Sequence, residues 1–182
     1  ICAAKADAEV LAAWANMVGV TGSALDAYLT LRGLRTLFPR LAQQQQTALA
    51  IARFLEGRAE VSAVHYPGLP THAGHAIASA QQDGYGAMLS FELSGGRDAV
   101  RRFVEAVRLF TLAESLGGIE SLVAHPSSMT HASMDVNARR AAGITDGLLR
   151  LSIGLEAEVD LIADLESAFT AARQASATLG SM

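Results

Sequence analysis

The sequence predicts an α/β protein in which a small sheet has helices packed against it and a run of helices precedes the sheet. Three observations carry this. Apolar residues recur at helical spacing from Val10 to Leu55, short apolar segments of strand length then alternate with helical periods, and Val159, Ile162, Leu165 and Phe169 give a final amphipathic helix.

Taken in order, Val10, Trp14, Met17 and Val18 stand at i, i+4, i+7 and i+8, one face of a helix over residues 6–18. Gly19-Val20-Thr21-Gly22 breaks it. Ser23 with Asp26 three residues on has the form of a capping box, so a second helix starts there and carries Leu25, Tyr28, Leu29, Leu31 and Leu34. The pattern resumes after Pro39 with Leu41, Ala48, Ile51, Ala52 and Leu55, and Pro39 is expected to kink or restart the helix. The glutamines at 43–46 read as a solvated face of that helix. Two helical segments meet at a proline and the chain changes character afterwards, which places a domain boundary near Phe38 and divides the chain into 1–38 and 39–182.

Beyond it the expected order is a strand at 61–66, a helix at 73–82, a strand at 86–93, a helix at 97–107 and a strand at 109–112. A further strand at 148–155 precedes the last helix.

Of the 182 residues, 51% are hydrophobic and 18% charged, with a formal net charge of -4, which describes a globular chain and argues against a nucleic-acid partner. No apolar run approaches the roughly 20 residues that span a bilayer, so no membrane partner is expected. Ile1-Cys2-Ala3-Ala4-Lys5 lacks the charged-then-apolar order of a signal peptide. The single Cys2 can form no internal disulfide, in keeping with a reducing, cytoplasmic setting. A first residue other than Met suggests a truncated or cleaved product.

Residues 109–131 are the most informative stretch. A short apolar run gives way at Glu114 and Ser115 to Gly117-Gly118, where the backbone can turn left-handed or approach another group closely. Ser121, His125, Ser127, Ser128, Thr130 and His131 follow in a loop stiffened by Pro126, many hydrogen-bonding groups with little apolar content. No G-x-S-x-G elbow surrounds Ser115, and Ser115, His125 and Glu120 are a set of residue types without a triad's pattern. The glycine pair also lacks the spacing of a phosphate-wrapping loop. His65, His72 and His75 could share a metal only with further ligands, and no cysteine or nearby carboxylate completes the set, so they read as exposed helix polarity. His125 and His131 read as side chains that hydrogen-bond the loop backbone.

In the strand at 148–154, alternation puts Leu149, Leu151 and Ile153 on one face and Arg150 with Ser152 on the other. A guanidinium presents a planar fork of donors matched to a carboxylate, so Arg150 suits recognition of an amino acid's α-carboxyl group. It equally suits a solvated face, or an ion pair with Asp146 or Glu114.

Ala113-Glu114-Ser115-Leu116-Gly117-Gly118-Ile119-Glu120-Ser121-Leu122 followed by Ser128-Met129-Thr130-His131-Ala132 resembles the signature of the Cys/Met-metabolism pyridoxal-phosphate enzymes. Residues 14–22, 31–37, 66–70 and 84–91 support the resemblance in the family's order. Trp14-Ala15-Asn16 with Gly19-Val20-Thr21-Gly22, and Arg35-Thr36-Leu37 before Pro39-Arg40, look more like its cystathionine γ-synthase branch than its lyases. The resemblance covers nearly the whole chain and only the C-terminal half of such an enzyme.

The resemblance implies a C-terminal part of a fold-type I transferase, with 1–38 a remnant of the cofactor-binding large domain and 39–182 the small domain. It implies γ-replacement on pyridoxal phosphate, joining an O-acylated homoserine to L-cysteine, within a homotetramer whose substrates are small amino acids. Matched position by position, Arg150 falls on the arginine that binds the substrate α-carboxylate. Ser115 falls on the serine that orients that carboxylate and the catalytic lysine, and Glu114 on a glutamate of the γ-synthase and γ-lyase branch. Lys5 is the only lysine and resembles the segment after the catalytic site, so the Schiff-base lysine and the cofactor-binding residues are expected upstream, in an N-terminal half acting as partner, and the fragment alone is expected to be inactive. The alternatives are a cystathionine γ-lyase and, in a different class, a non-catalytic α/β interaction module.

Overall fold

The structure, a computed structural model, describes residues 4–20 and 22–178. Ile1, Cys2, Ala3 and Thr21, and with them the expectations for the Cys2 thiol and the chain start, lie outside the described residues. The chain divides into two compact units, Ile1–Phe38 and Pro39–Met182.

The first unit is helical. Helix α1, Lys5–Val18, ends on Gly19 in the left-handed conformation (φ 68°), and Gly19 donates to the Ala15 carbonyl. Helix α2, Ala24–Leu34, opens on the capping box its sequence predicts: Ser23 Oγ accepts the Asp26 N–H, and the Asp26 carboxylate accepts the Ser23 N–H. The Ser23 hydroxyl, which donates to the Asp26 carboxylate at 2.8 Å, and with it the Ser23 N–H hold the Asp26 carboxyl below its usual range. No residue of either helix is buried, and Val10, Trp14, Met17, Tyr28 and Leu29 are all more than half exposed.

Helix α3, Leu37–Glu56, starts after a break at Arg35-Thr36 and carries Pro39 in its first turn. A proline is tolerated there because the first N–H groups of a helix have no intrahelical partner, so Pro39 restarts the helix and does not kink it.

The second unit holds a five-stranded mixed sheet in the order β1-β2-β5-β4-β3. The strands are β1 Val61–His65, β2 Met88–Leu93, β3 Thr111–Leu112, β4 Leu122–Ala124 and β5 Leu148–Ser152, with β3 and β4 parallel and the other pairs antiparallel. Helices α4 His75–Gln81, α5 Gly96–Ala106, α6 Val136–Ala141 and α7 Glu158–Thr178 complete it. Register sets Leu89 and Val123 beside Leu151, and Phe91 beside Leu149. That face forms one core with Ile51 and Leu55 of α3, Val100 and Phe103 of α5, and Leu161, Leu165 and Phe169 of α7. Ser90 and Ala124 stand beside Arg150, and Met88 and Leu122 beside Ser152, on the opposite face. Alternation thus delivers Arg150 and Ser152 to the face away from these helices.

Three expectations need correction. Residues 122–124 were expected within a loop, yet they form β4, buried along its length, because partners on both sides complete its ladder. The strand expected at 109–112 shrinks to two exposed edge residues, since the Asp164 carboxylate on α7 accepts the N–H groups of Arg108 (2.9 Å), Leu109 (2.9 Å) and Phe110 (3.3 Å) and removes them from the ladder. Val159 is exposed, because α7 buries the row Leu161, Leu165, Ala168 and Ala172 at i, i+4, i+7 and i+11.

Candidate functional site

Residues 113–121 run along the edge of the Arg150 face and are tied to β5 and the residues after it. Gly117 adopts φ 77°, the left-handed turn its sequence invited, and its N–H donates to Ser152 Oγ at 3.0 Å. Ser121 donates twice to the Glu156 carboxylate, from its N–H at 2.8 Å and its hydroxyl at 2.7 Å, while its Oγ accepts the Gly154 N–H at 2.9 Å. The Leu155 N–H reaches the Ile119 carbonyl at 2.8 Å. The approach is so close at Gly154 that a Cβ there would lie 2.5 Å from the Ile119 carbonyl oxygen, which only glycine permits.

This lacing brings two of the expected residues together. Arg150 Nη2 donates to the Ser115 backbone carbonyl at 3.2 Å. Among the described residues that is its only hydrogen bond, so the rest of the guanidinium fork is uncommitted. The ion-pair alternative is absent: Asp146 instead meets Arg97 at 3.3 Å and Arg139 at 3.9 Å, and Arg150 pairs with no carboxylate among the described residues. Ser115 and Glu114 are both exposed. The Ser115 hydroxyl and the Glu114 carboxylate have no hydrogen-bond partner among the described residues, and the one contact that joins this turn to Arg150 is through the Ser115 backbone carbonyl.

His125 is 6% exposed. Its Nε2 lies 3.1 Å from the Asp146 carbonyl and 3.0 Å from Ser127 Oγ, and its Nδ1 lies 2.7 Å from Ser128 Oγ. A carbonyl can only accept, so Nε2 carries the proton and Nδ1 accepts from Ser128. The ring therefore bonds a backbone carbonyl outside the loop and meets the loop itself only through the Ser127 and Ser128 hydroxyls, which differs from the loop-backbone role expected of it. His131 departs from that expectation, its ring meeting the Thr130 hydroxyl at 2.7 Å. His75 Nδ1 lies 2.7 Å from the Pro67 carbonyl and His72 Nδ1 accepts the Gly74 N–H. No metal-binding group of three or more side chains gathers among the described residues.

Burial pushes the His125 imidazole below its ordinary value of 6.5, with the Arg97 and Arg139 guanidinium groups adding to the effect and Asp146 opposing it. On acidification the unfolded chain takes up this proton first, so the contribution is complete above about pH 6.5 and is lost as pH falls through the depressed folded value. The unfolding midpoint is expected to drop over that window more steeply in the wild type than in His125→Gln. Parallel pH profiles would remove His125 from the account.

Sequence reasoning missed Gln44. The tract at 43–46 reads as solvated, yet Gln44 is 5% exposed and Thr47 is fully buried. The signal was present, because Gln44 precedes Ala48 by four residues and Ile51 by seven, on the stripe α3 turns to the core. Its Nε2 donates to the Gly118 carbonyl and to the Ile153 carbonyl, each at 2.8 Å.

The site thus consists of a mixed sheet with helices packed on one face and the Arg150 guanidinium, held by a single hydrogen bond among the described residues, on the other. The description "Cys/Met metabolism PLP-dependent enzyme" matches residues 1–170, and the chain belongs to that family. It is 56% identical over 164 residues to cystathionine gamma-synthase of Escherichia coli, covering 90% of this chain and 42% of that protein. It is 50% identical over 153 residues to cystathionine beta-lyase of Lactococcus lactis, covering 84% and 40%. The solved cystathionine gamma synthase of Xanthomonas oryzae, in complex with aminoacrylate and cysteine, superposes with a TM-score of 0.88 at 57% identity, over 96% of this chain and 45% of that one. The chain spans less than half the length of the relatives it matches.

The family depends on pyridoxal phosphate, whose aldehyde calls for a lysine amine and whose phosphate calls for a nest of N–H donors. Lys5, the one lysine, is exposed in the first turn of α1 with no side-chain hydrogen bond among the described residues. Neither Lys5 nor the turn beside Arg150 gathers a lysine amine together with such a nest among the described residues. Among the described residues no helix is long and apolar enough to cross a membrane.

Proposed function

We propose that this chain is the C-terminal, substrate-gripping portion of a cystathionine γ-synthase-like enzyme of the cytoplasm, with residues 1–38 the end of its cofactor-binding domain. The observation that carries this reading is the Arg150 guanidinium, anchored by one donor to the Ser115 carbonyl and otherwise uncommitted. Such a fork binds the α-carboxylate of an amino acid in two parallel hydrogen bonds. Ser115 Oγ orients that carboxylate, and the exposed Glu114 carboxylate reads the ammonium of the incoming L-cysteine. In the reaction the ester Cγ–O bond of an O-acylhomoserine breaks, the acyl carboxylate leaves, a Cγ–S bond forms to cysteine and the thiol proton is lost. The residues that hold pyridoxal phosphate belong to an N-terminal half.

The test is product analysis on the cofactor-loaded enzyme that contains this chain. With O-succinyl- or O-acetyl-L-homoserine and L-cysteine, cystathionine and the free acid are expected. Conversion of cystathionine to cysteine, 2-oxobutyrate and ammonia as the dominant activity would replace this reading by the γ-lyase one, and no turnover of either kind would favour a non-catalytic module. The chain by itself is expected to form no product, and borohydride to leave no reduced cofactor adduct at Lys5.

The complete enzyme is proposed to be a homotetramer, a reading that rests on the family resemblance and is in keeping with the uncovered apolar side chains of α1 and α2. Sedimentation equilibrium should return four times the subunit mass; a monomer at micromolar concentration would oppose it.

A further inference from the structure

We propose that Gln44 is a positioning residue for the carboxylate clamp, acting on Arg150 through the turn at 114–118; the inference rests on the substrate-gripping reading above. Gln44 occupies a place on the apolar stripe of α3 where a hydrocarbon side chain would be the simpler occupant, and it is 5% exposed. Both atoms it faces are backbone carbonyls, Gly118 and Ile153, each 2.8 Å from Nε2, so the amide nitrogen must point there and both of its N–H groups are used. One acceptor belongs to the turn and the other to the residue that follows β5. The amide therefore clips the turn to the end of the strand that carries Arg150.

The turn is held from two sides. Ser152, on the Arg150 face of β5, takes the Gly117 N–H at 3.0 Å, and Gln44 takes the next residue's carbonyl. Ser115 lies two residues before Gly117 and meets Arg150 through its carbonyl at 3.2 Å. Gly117, at φ 77°, supplies the bend and no side chain to stiffen it. Removing the Gln44 donors strands two carbonyls and frees one side of the turn, so the Ser115 carbonyl drifts from the guanidinium and the fork is no longer aimed. The consequence falls on the grip of the carboxylate and leaves the reacting bonds alone.

The experiment compares Gln44→Met, which keeps the volume and loses both donors, with Gln44→Glu in the cofactor-loaded enzyme, using O-succinyl- and O-acetyl-L-homoserine as probes. Gln44→Met is expected to raise KM about tenfold with kcat within about twofold. In Gln44→Glu the ionised carboxylate opposes both carbonyls, whereas the protonated acid can donate to one. Its KM should therefore move back toward the wild-type value as pH is lowered, along a profile the wild type does not share. A lower melting temperature with wild-type KM in both variants would overturn the proposal and leave Gln44 a packing residue. If Gln44→Met does not fold, the pH profile of Gln44→Glu decides alone, a flat one overturning the proposal. An Arg150→Ala enzyme with unaltered KM would overturn the clamp and this inference together; an Arg150 effect without a Gln44 effect overturns this inference only.

Discussion

Arg150→Ala in the cofactor-loaded enzyme is expected to lower kcat/KM for an O-acylhomoserine by roughly 10- to more than 100-fold, because a charge-assisted hydrogen bond contributes about 1.5 to 3 kcal/mol. Arg150→Lys should fall between the variant and the wild type, since it keeps the charge and loses the planar fork. The uncommitted donors of Arg150 are what make the two substitutions rank in that order: a guanidinium consumed by an ion pair would lose mainly charge. The loss should also follow the ligand's own carboxylate. A substrate whose α-carboxyl is esterified or amidated already lacks the paired oxygens, and the mutation should penalise it far less than the free acid. Near wild-type kinetics in folded Arg150→Ala enzyme would return Arg150 to a solvated face.

The largest effect on stability is expected at Phe169. Its ring is fully buried at the meeting point of four elements, with centroids 5.0 Å from Phe103 on α5, 6.1 Å from Phe91 on β2 and 6.2 Å from Phe54 on α3. The Arg58 guanidinium carbon lies 5.1 Å from the centre of the same ring. Phe169→Ala removes transfer free energy and leaves a cavity, together about 3 to 5 kcal/mol. The edge-on pair with Phe103, inclined at 63°, adds about 0.5 to 1.5 kcal/mol that Phe169→Leu would also lose. Denaturant unfolding followed by fluorescence and by circular dichroism should therefore rank wild type above Phe169→Leu above Phe169→Ala. If Phe169→Ala does not fold, Phe169→Leu carries the test, and a shift below about 0.5 kcal/mol there would mean that the aromatic cluster is incidental to the core.

Much of this was legible beforehand because the relevant physics is local. The Ser23–Asp26 box closes within three residues, the left-handed angle at Gly117 follows from the absence of a Cβ, and alternation along 148–154 assigns Arg150 and Ser152 to one face whatever lies around them. The family resemblance in residues 113–122 and 128–132 was likewise a property of residue order. Tertiary structure alone decided the rest, because a hydrogen-bond partner distant in sequence leaves no mark on local spacing. Leu122-Val123-Ala124 is too short to show a period and becomes a strand only when β3 and β5 flank it. Asp164 ends an apolar run 54 to 56 residues earlier in the chain by accepting its N–H groups. Gln44, one polar residue in a polar tract, acquires its meaning from two carbonyls 74 and 109 positions away, which folding brings to a single amide.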